Sequence, residues 1–197
     1  MTERTFTTQF AYAACRAALL VSLCAASFAQ AADAPKAGQT VETVFPQTEA
    51  RQDFKPDATW GATGTKNFVG KAYSKDAYRQ VPPARGYGAY VYFTPGARTN
   101  WHMHPLGQTL LVVDGTGLTQ AKNPDGTLGP VVRIQAGDVV ICPPGIEHWH
   151  GAAPGSSMTH LATSESDPKQ RVVWKEPVAD AAYRDAAANA VAPQARK

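Results

Sequence analysis

The chain has 197 residues, 44% of them hydrophobic and 18% charged, with a formal net charge of +3. That apolar content supports one folded core and excludes a disordered polyelectrolyte, while the weak positive balance excludes the basic field that a nucleic-acid partner requires. Of the three cysteines only Cys142 lies beyond the first thirty residues, so no internal disulfide is available to the rest of the chain.

Residues 1–31 read as a signal peptide. Arg4 and Arg16 supply positive charge, Ala17 to Phe28 is an apolar run, and Ala29-Gln30-Ala31 is a small-x-small cleavage site. The apolar run falls short of the roughly 20 residues that a membrane span needs, and Leu23 before Cys24 is a poor match to a lipidation site. The reading therefore predicts a periplasmic or secreted protein with no membrane contact after leader removal. Loss of Arg4, Arg16 and Glu3 would take the charge from +3 to +2.

Residues 32–59, rich in Ala, Pro, Lys, Gln and Thr without sustained periodicity, read as a flexible lead-in. Residues 60–178 follow as one domain of short apolar runs. The predicted strands are Gly86 to Thr94, Gln108 to Val113, Val131 to Gln135, Val139 to Cys142 and Met158 to Thr163. Between them stand Pro95-Gly96, Pro105-Leu106-Gly107, Gly115-Thr116-Gly117, Asn123-Pro124-Asp125-Gly126, Ala136-Gly137 and Pro143-Pro144-Gly145. Each of these can reverse an antiparallel pair, so the pattern predicts an all-β antiparallel barrel or jelly roll. Within 179–197, a short helix and tail, Ala179 to Ala188 has helix-forming composition. Cys142, at the end of an apolar run, reads as a small packing residue.

All five histidines fall between positions 102 and 160. On an extended strand His102 and His104 project to one side, so two imidazoles are aligned by spacing alone. With Gln108 and His148 they form a constellation that reads as four ligands of one divalent metal. Three imidazoles and an amide turned into a barrel would leave many buried polar atoms unpaired without an ion. Borderline and hard donors of this kind leave manganese, iron, nickel, cobalt, zinc and copper open.

The segment from Gly96 through His102-Met103-His104 and Gln108 to Gly115 resembles the first signature of the cupins. Gly137 to His148, with Pro143-Pro144-Gly145 inside it, resembles the second. Gln108 stands where most cupins carry glutamate, and Ala152 where an asparagine is common. With His148-Trp149-His150 and Met158-Thr159-His160-Leu161, the similarity extends from about Phe68 to Tyr183 and points to small bacterial single-domain cupins that include manganese-dependent hydroxynitrile lyases. The resemblance implies a cupin jelly-roll barrel with a short C-terminal helix, and a metal that is Mn2+ or alternatively Fe2+.

It also implies a lyase acting on cyanohydrins or similar small hydroxy and carbonyl compounds. His160 matches a residue associated with proton transfer, His150 is a second catalytic candidate or a structural hydrogen-bonding group, and Ala89 and Val91 match inward positions that limit substrate size. A dioxygenase of an enol or catechol-like substrate and a non-catalytic small-ligand binding protein remain alternatives, because fold alone does not choose among them. The expected partner is a small molecule, and the size suits a homodimer or higher oligomer. Replacing a glutamate by Gln108 leaves the full +2 on the ion, a charge that should hold anions and polarise oxygen more strongly.

Overall fold

The computed structural model describes residues 54–193; the signal peptide read at 1–31, the lead-in as far as residue 53 and the last four residues of the tail lie outside them. The strands are β1 (Gly61–Ala62), β2 (Phe68–Val69), β3 (Ala72–Arg79), β4 (Gly86–Phe93), β5 (Arg98–Thr99), β6 (His102–Met103) and β7 (Gln108–Ala121). They continue with β8 (Val132–Gln135), β9 (Val139–Cys142), β10 (His148–Ala152), β11 (Met158–Glu165) and β12 (Val173–Trp174), and one helix, α1 (Asp180–Ala188), follows. All pairings between strands are antiparallel. The sheet curls into the jelly-roll barrel expected of the sequence.

The 14-residue strand β7 organises that curl. Its first half lies between β11 and β9, and its second half lies between β10 and β8. The Gly115-Thr116-Gly117 segment, expected to reverse the chain, instead carries one strand from the first face of the barrel to the second. Gly115 has φ +74°, and a Cβ there would run into the backbone of Ser157. A glycine is therefore required where β7 bends past the start of β11.

Strand alternation separates two apolar clusters. Phe93, Val112, Ile134, Ala152 and Met158 pack together with Ala72 and Ala97. A second cluster joins Trp101, Leu118, Val131 and Trp149 to Val178, Tyr183 and Ala186 at the C-terminal end. Trp149 lies between His148 and His150, so its indole leaves β10 on the face opposite the two imidazoles. There it meets Tyr183 of α1 edge-on, with ring centroids 6.0 Å apart. The helix thus backs the strand that carries two histidines.

Buried Arg98 secures this packing. Its guanidinium donates to the Val178 carbonyl at 2.7 Å and to Asp180 at 2.6 Å, and lies 4.4 Å over the Tyr183 ring. The Tyr183 hydroxyl donates to the Ala152 carbonyl, at the end of β10, at 2.6 Å. Asp180 adds negative charge in the helix's first turn, where the backbone N–H groups favour it. Tyr183→Phe leaves that buried carbonyl without its donor and should lower stability by about 1–2 kcal/mol. A urea unfolding midpoint unchanged by the substitution would show that the hydroxyl anchors nothing.

Candidate metal centre

His102 opens from β6 and pairs in register with His148 of β10. His104 follows at the start of the Pro105-Leu106-Gly107 turn, which returns the chain to Gln108, the first residue of β7. Alternation along β10 brings His150 to the same side as His148, and β11 supplies His160. All five imidazoles and the Gln108 amide are buried. The two short strands and the tight turn place donors that are distant in sequence within one small volume.

Backbone carbonyls determine which nitrogens are basic. His102 Nδ1–H donates to the Asn100 carbonyl at 3.0 Å, and His148 Nδ1–H donates to the Ile146 carbonyl at 3.0 Å. A carbonyl only accepts, so each neutral ring must carry its proton on Nδ1 and present a lone pair on Nε2. His148 Nε2 faces Gln108 Oε1 at 3.2 Å, and the Gln108 side chain also reaches His102. Lone pairs of two imidazoles and an amide therefore converge.

Ring nitrogens of His102, His148 and His150 all lie within 4.8 Å of one another. The His104 ring stands 5.4 Å from that of His102 and 6.0 Å from that of His148, centroid to centroid. Three buried nitrogens have no hydrogen-bond partner among the described residues: His104 Nδ1, His150 Nε2 and His160 Nδ1. His160 Nε2 and His150 Nδ1 are 3.2 Å apart, and both rings contact Phe93. Buried polar nitrogens are costly if left unpaired, and the converging lone pairs of His102, His148 and Gln108 suit a cation. The donor set fits a divalent transition metal.

Trp174 of β12 lies against His102, with centroids 4.8 Å apart, and Phe68 lies against Trp174. A cavity of about 380 Å³ reaches Gln108 and is lined by Leu106, Cys142, Pro143, Thr163 and Ser164. Ser164 is the register partner of Gln108, and Cys142 is its partner on the other side. Burial pushes the Cys142 thiol up to about 12, in keeping with its reading as a packing residue. Ala89 and Val91 lie on β4 across from Ala162 and His160, and neither lines this cavity. Trp174 and Ser164 had no mark in the sequence beyond an aromatic and a hydroxyl on short strands.

Burial drives the histidines toward their neutral, metal-competent forms. It lowers His102 and His150 well below the ordinary value, with neighbouring imidazoles adding to the effect, and it also lowers His148. His104 falls from 6.5 to about 4, through burial first and then His148, and burial takes His160 to about 3. The unfolded chain therefore binds more protons than the folded one below about pH 6.5. Metal-free protein should keep its full stability above that pH, and its thermal midpoint should fall steadily as the pH drops toward about 4. A midpoint that is flat or rises on acidification over this window would contradict the burial of neutral rings.

Residues 89–163 match the family model described as a cupin domain. An (R)-mandelonitrile lyase of Granulicella tundricola is 47% identical over 117 residues, which cover 59% of this chain and 86% of that protein. The crystal structure of a cupin-like protein from Thermotoga maritima, 34% identical, superposes with a TM-score of 0.58 over 64% of this chain and 93% of the other. The barrel, the two signatures and these likenesses agree, and the chain belongs to the cupin family.

Proposed function

We propose that this protein is a metal-dependent lyase that cleaves cyanohydrins, or similar small hydroxy compounds, into a carbonyl compound and cyanide. The observation that carries the reading is the juxtaposition of converging lone pairs on His102, His148 and Gln108 with a histidine pair, His150 and His160, that offers buried unpartnered nitrogens. Likeness to a mandelonitrile lyase supports the choice of substrate class. The proposed ligands are His102, His104, Gln108 and His148, and the proposed metal is manganese. Because all four donors are neutral, a bound divalent ion would keep its full +2 charge and act as a Lewis acid toward a substrate oxygen.

The chain's own groups account for the rest. His160 is a buried neutral ring whose Nδ1 has, among the described residues, no partner beyond its own backbone, and it is the group proposed to accept the proton of the substrate hydroxyl. The electron pair left on oxygen forms the carbonyl as the carbon–cyanide bond breaks, and cyanide leaves with the pair from that bond. In the reverse direction His160 returns the proton as the carbon–carbon bond forms. Phe93, which touches both His150 and His160, keeps the pair in an apolar setting, and Val91 opposite His160 limits the substituent that fits there.

Manganese-loaded protein should release aldehyde and cyanide from mandelonitrile faster than buffer does. His160→Ala should lower turnover about a hundredfold, the usual contribution of a positioned base, with metal content nearly unchanged. His102→Ala should lose both metal and turnover. Wild-type release no faster than buffer would end the lyase reading, and oxygen uptake with an enol or catechol by the same sample would replace it with a dioxygenase. Equal turnover in His160→Ala would remove only the proposed base.

A further inference from the structure

We propose that Trp174 is a positioning residue of the metal centre: its indole acts through His102, holding that imidazole in the direction from which its Nε2 ligates. The inference rests on the ligand role given to His102 above, and it adds a residue that supplies no donor atom of its own. It follows from where β12 pairs and from what packs behind its tryptophan.

β6 is only two residues long, and it lies between β10 and β12. His102 is the register partner of His148 on one side and of Trp174 on the other. Side chains directly opposite one another in an antiparallel pair share a face of the sheet. The backbone therefore carries Trp174 onto the same face as the two imidazoles, and its ring lies 4.8 Å from that of His102 at an interplanar angle of 34°. The pairing continues past both strands, with Lys175 N–H donating to the Trp101 carbonyl at 2.8 Å and Trp101 N–H to the Glu176 carbonyl at 3.0 Å. Just before β12 the backbone of Arg171 reaches the His104 ring. One short segment thus meets both histidines of the His-x-His pair.

The bond from His102 Nδ1 to the Asn100 carbonyl, at 3.0 Å, ties the ring at one atom. A single hydrogen bond leaves the ring free to tilt about that contact, and the tilt swings Nε2 across the site. The indole face blocks this motion on the side of β12. Trp174 is in turn backed by Phe68, with centroids 5.7 Å apart, and Phe68 by Phe93 at 6.0 Å. Phe93 also touches His150 and His160. The three aromatic rings form an arc that ends on His102 at one side and on the His150 and His160 pair at the other. Among the described residues His148 has only other imidazoles as ring neighbours, so the buttress is particular to His102. Outer contacts of this kind orient a metal ligand without touching the ion.

Cobalt binding by the full chain, followed by its visible absorption, tests this without turnover. Trp174→Ala should bind cobalt about tenfold more weakly than wild type and release it faster to EDTA, the scale on which a group supporting a metal ligand acts. Trp174→Phe keeps a flat ring against the imidazole and should hold near wild-type affinity, whereas Trp174→Leu keeps apolar bulk alone and should weaken as Ala does. If Trp174→Ala does not fold, the Phe and Leu variants carry the comparison. Trp60→Ala removes an indole that packs on Tyr90, which alternation along β4 turns away from Val91 and Phe93. It should lose thermal stability and keep its cobalt affinity. Wild-type affinity in Trp174→Leu, or an equal loss of affinity in Trp60→Ala, would overturn the positioning role, the first by assigning the site to packing volume or to nothing, the second by assigning it to general destabilisation. Failure of the lyase reading shows separately, as absent cyanide release by a wild-type protein whose cobalt affinity still depends on Trp174.

Discussion

Buried lone pairs that face one another organise this protein. His148 Nε2 and Gln108 Oε1 lie 3.2 Å apart, and His102 joins them from β6 across its register with His148. Left alone, these buried acceptors repel. The barrel tolerates them because each ring is tied from behind: Asn100 and Ile146 hold the Nδ1 protons through carbonyls two residues upstream of each histidine. The same local geometry therefore serves both rings. Orientation comes from the backbone, so it requires no further charged group inside.

The electrostatic plan is correspondingly one-sided. Among the described residues no ion pair includes a histidine: the pairs are Arg79–Asp76, Arg85–Glu165, Arg98–Asp180 and the group of Lys122, Glu147, Lys175 and Glu176. Among the described residues the buried polar side chains are histidines, a glutamine, an asparagine, threonines and Arg98, with no carboxylate. A divalent charge at the centre would meet neutral donors on every side described. The response to an incoming oxygen or anion is then governed by the ion and by the tautomers of the rings, which carbonyls and neighbouring imidazoles set.

Much of the fold was legible because strand alternation is a short-range property. The His-x-His spacing, the runs that became β4, β9 and β11, and the helix at Asp180 to Ala188 all follow from local pattern and turn residues. Three features were not. The Gly115-Thr116-Gly117 segment has turn chemistry, yet it continues as β7 because its backbone pairs with β11 at Gly115 and with β8 and β10 just beyond, contacts that only the folded chain supplies. The His148 to Ala152 stretch was read for its histidines and not as a strand, since Gly151 and Ala152 weaken its β propensity. Gly151 is needed there because a Cβ would strike Ala97 and Arg98. The pairing of His150 with His160 was likewise invisible, as it depends on how β10 and β11 are brought together across the barrel.

The long strand β7 has a mechanical consequence. Its two halves belong to opposite faces of the barrel and are zipped to β11 and β9 on one side and to β10 and β8 on the other. Separating the two faces, or sliding one along the other, would break ladders on both sides of a single continuous strand. The barrel is thus stiff against breathing at this seam, in contrast to a sandwich whose layers meet only through side chains. Traffic to the interior must then pass at the barrel's end, where the Leu106 turn and the Pro143-Pro144-Gly145 loop border the cavity beside Gln108. Small changes in those two loops would alter the rate of passage while the seam kept the donor geometry fixed.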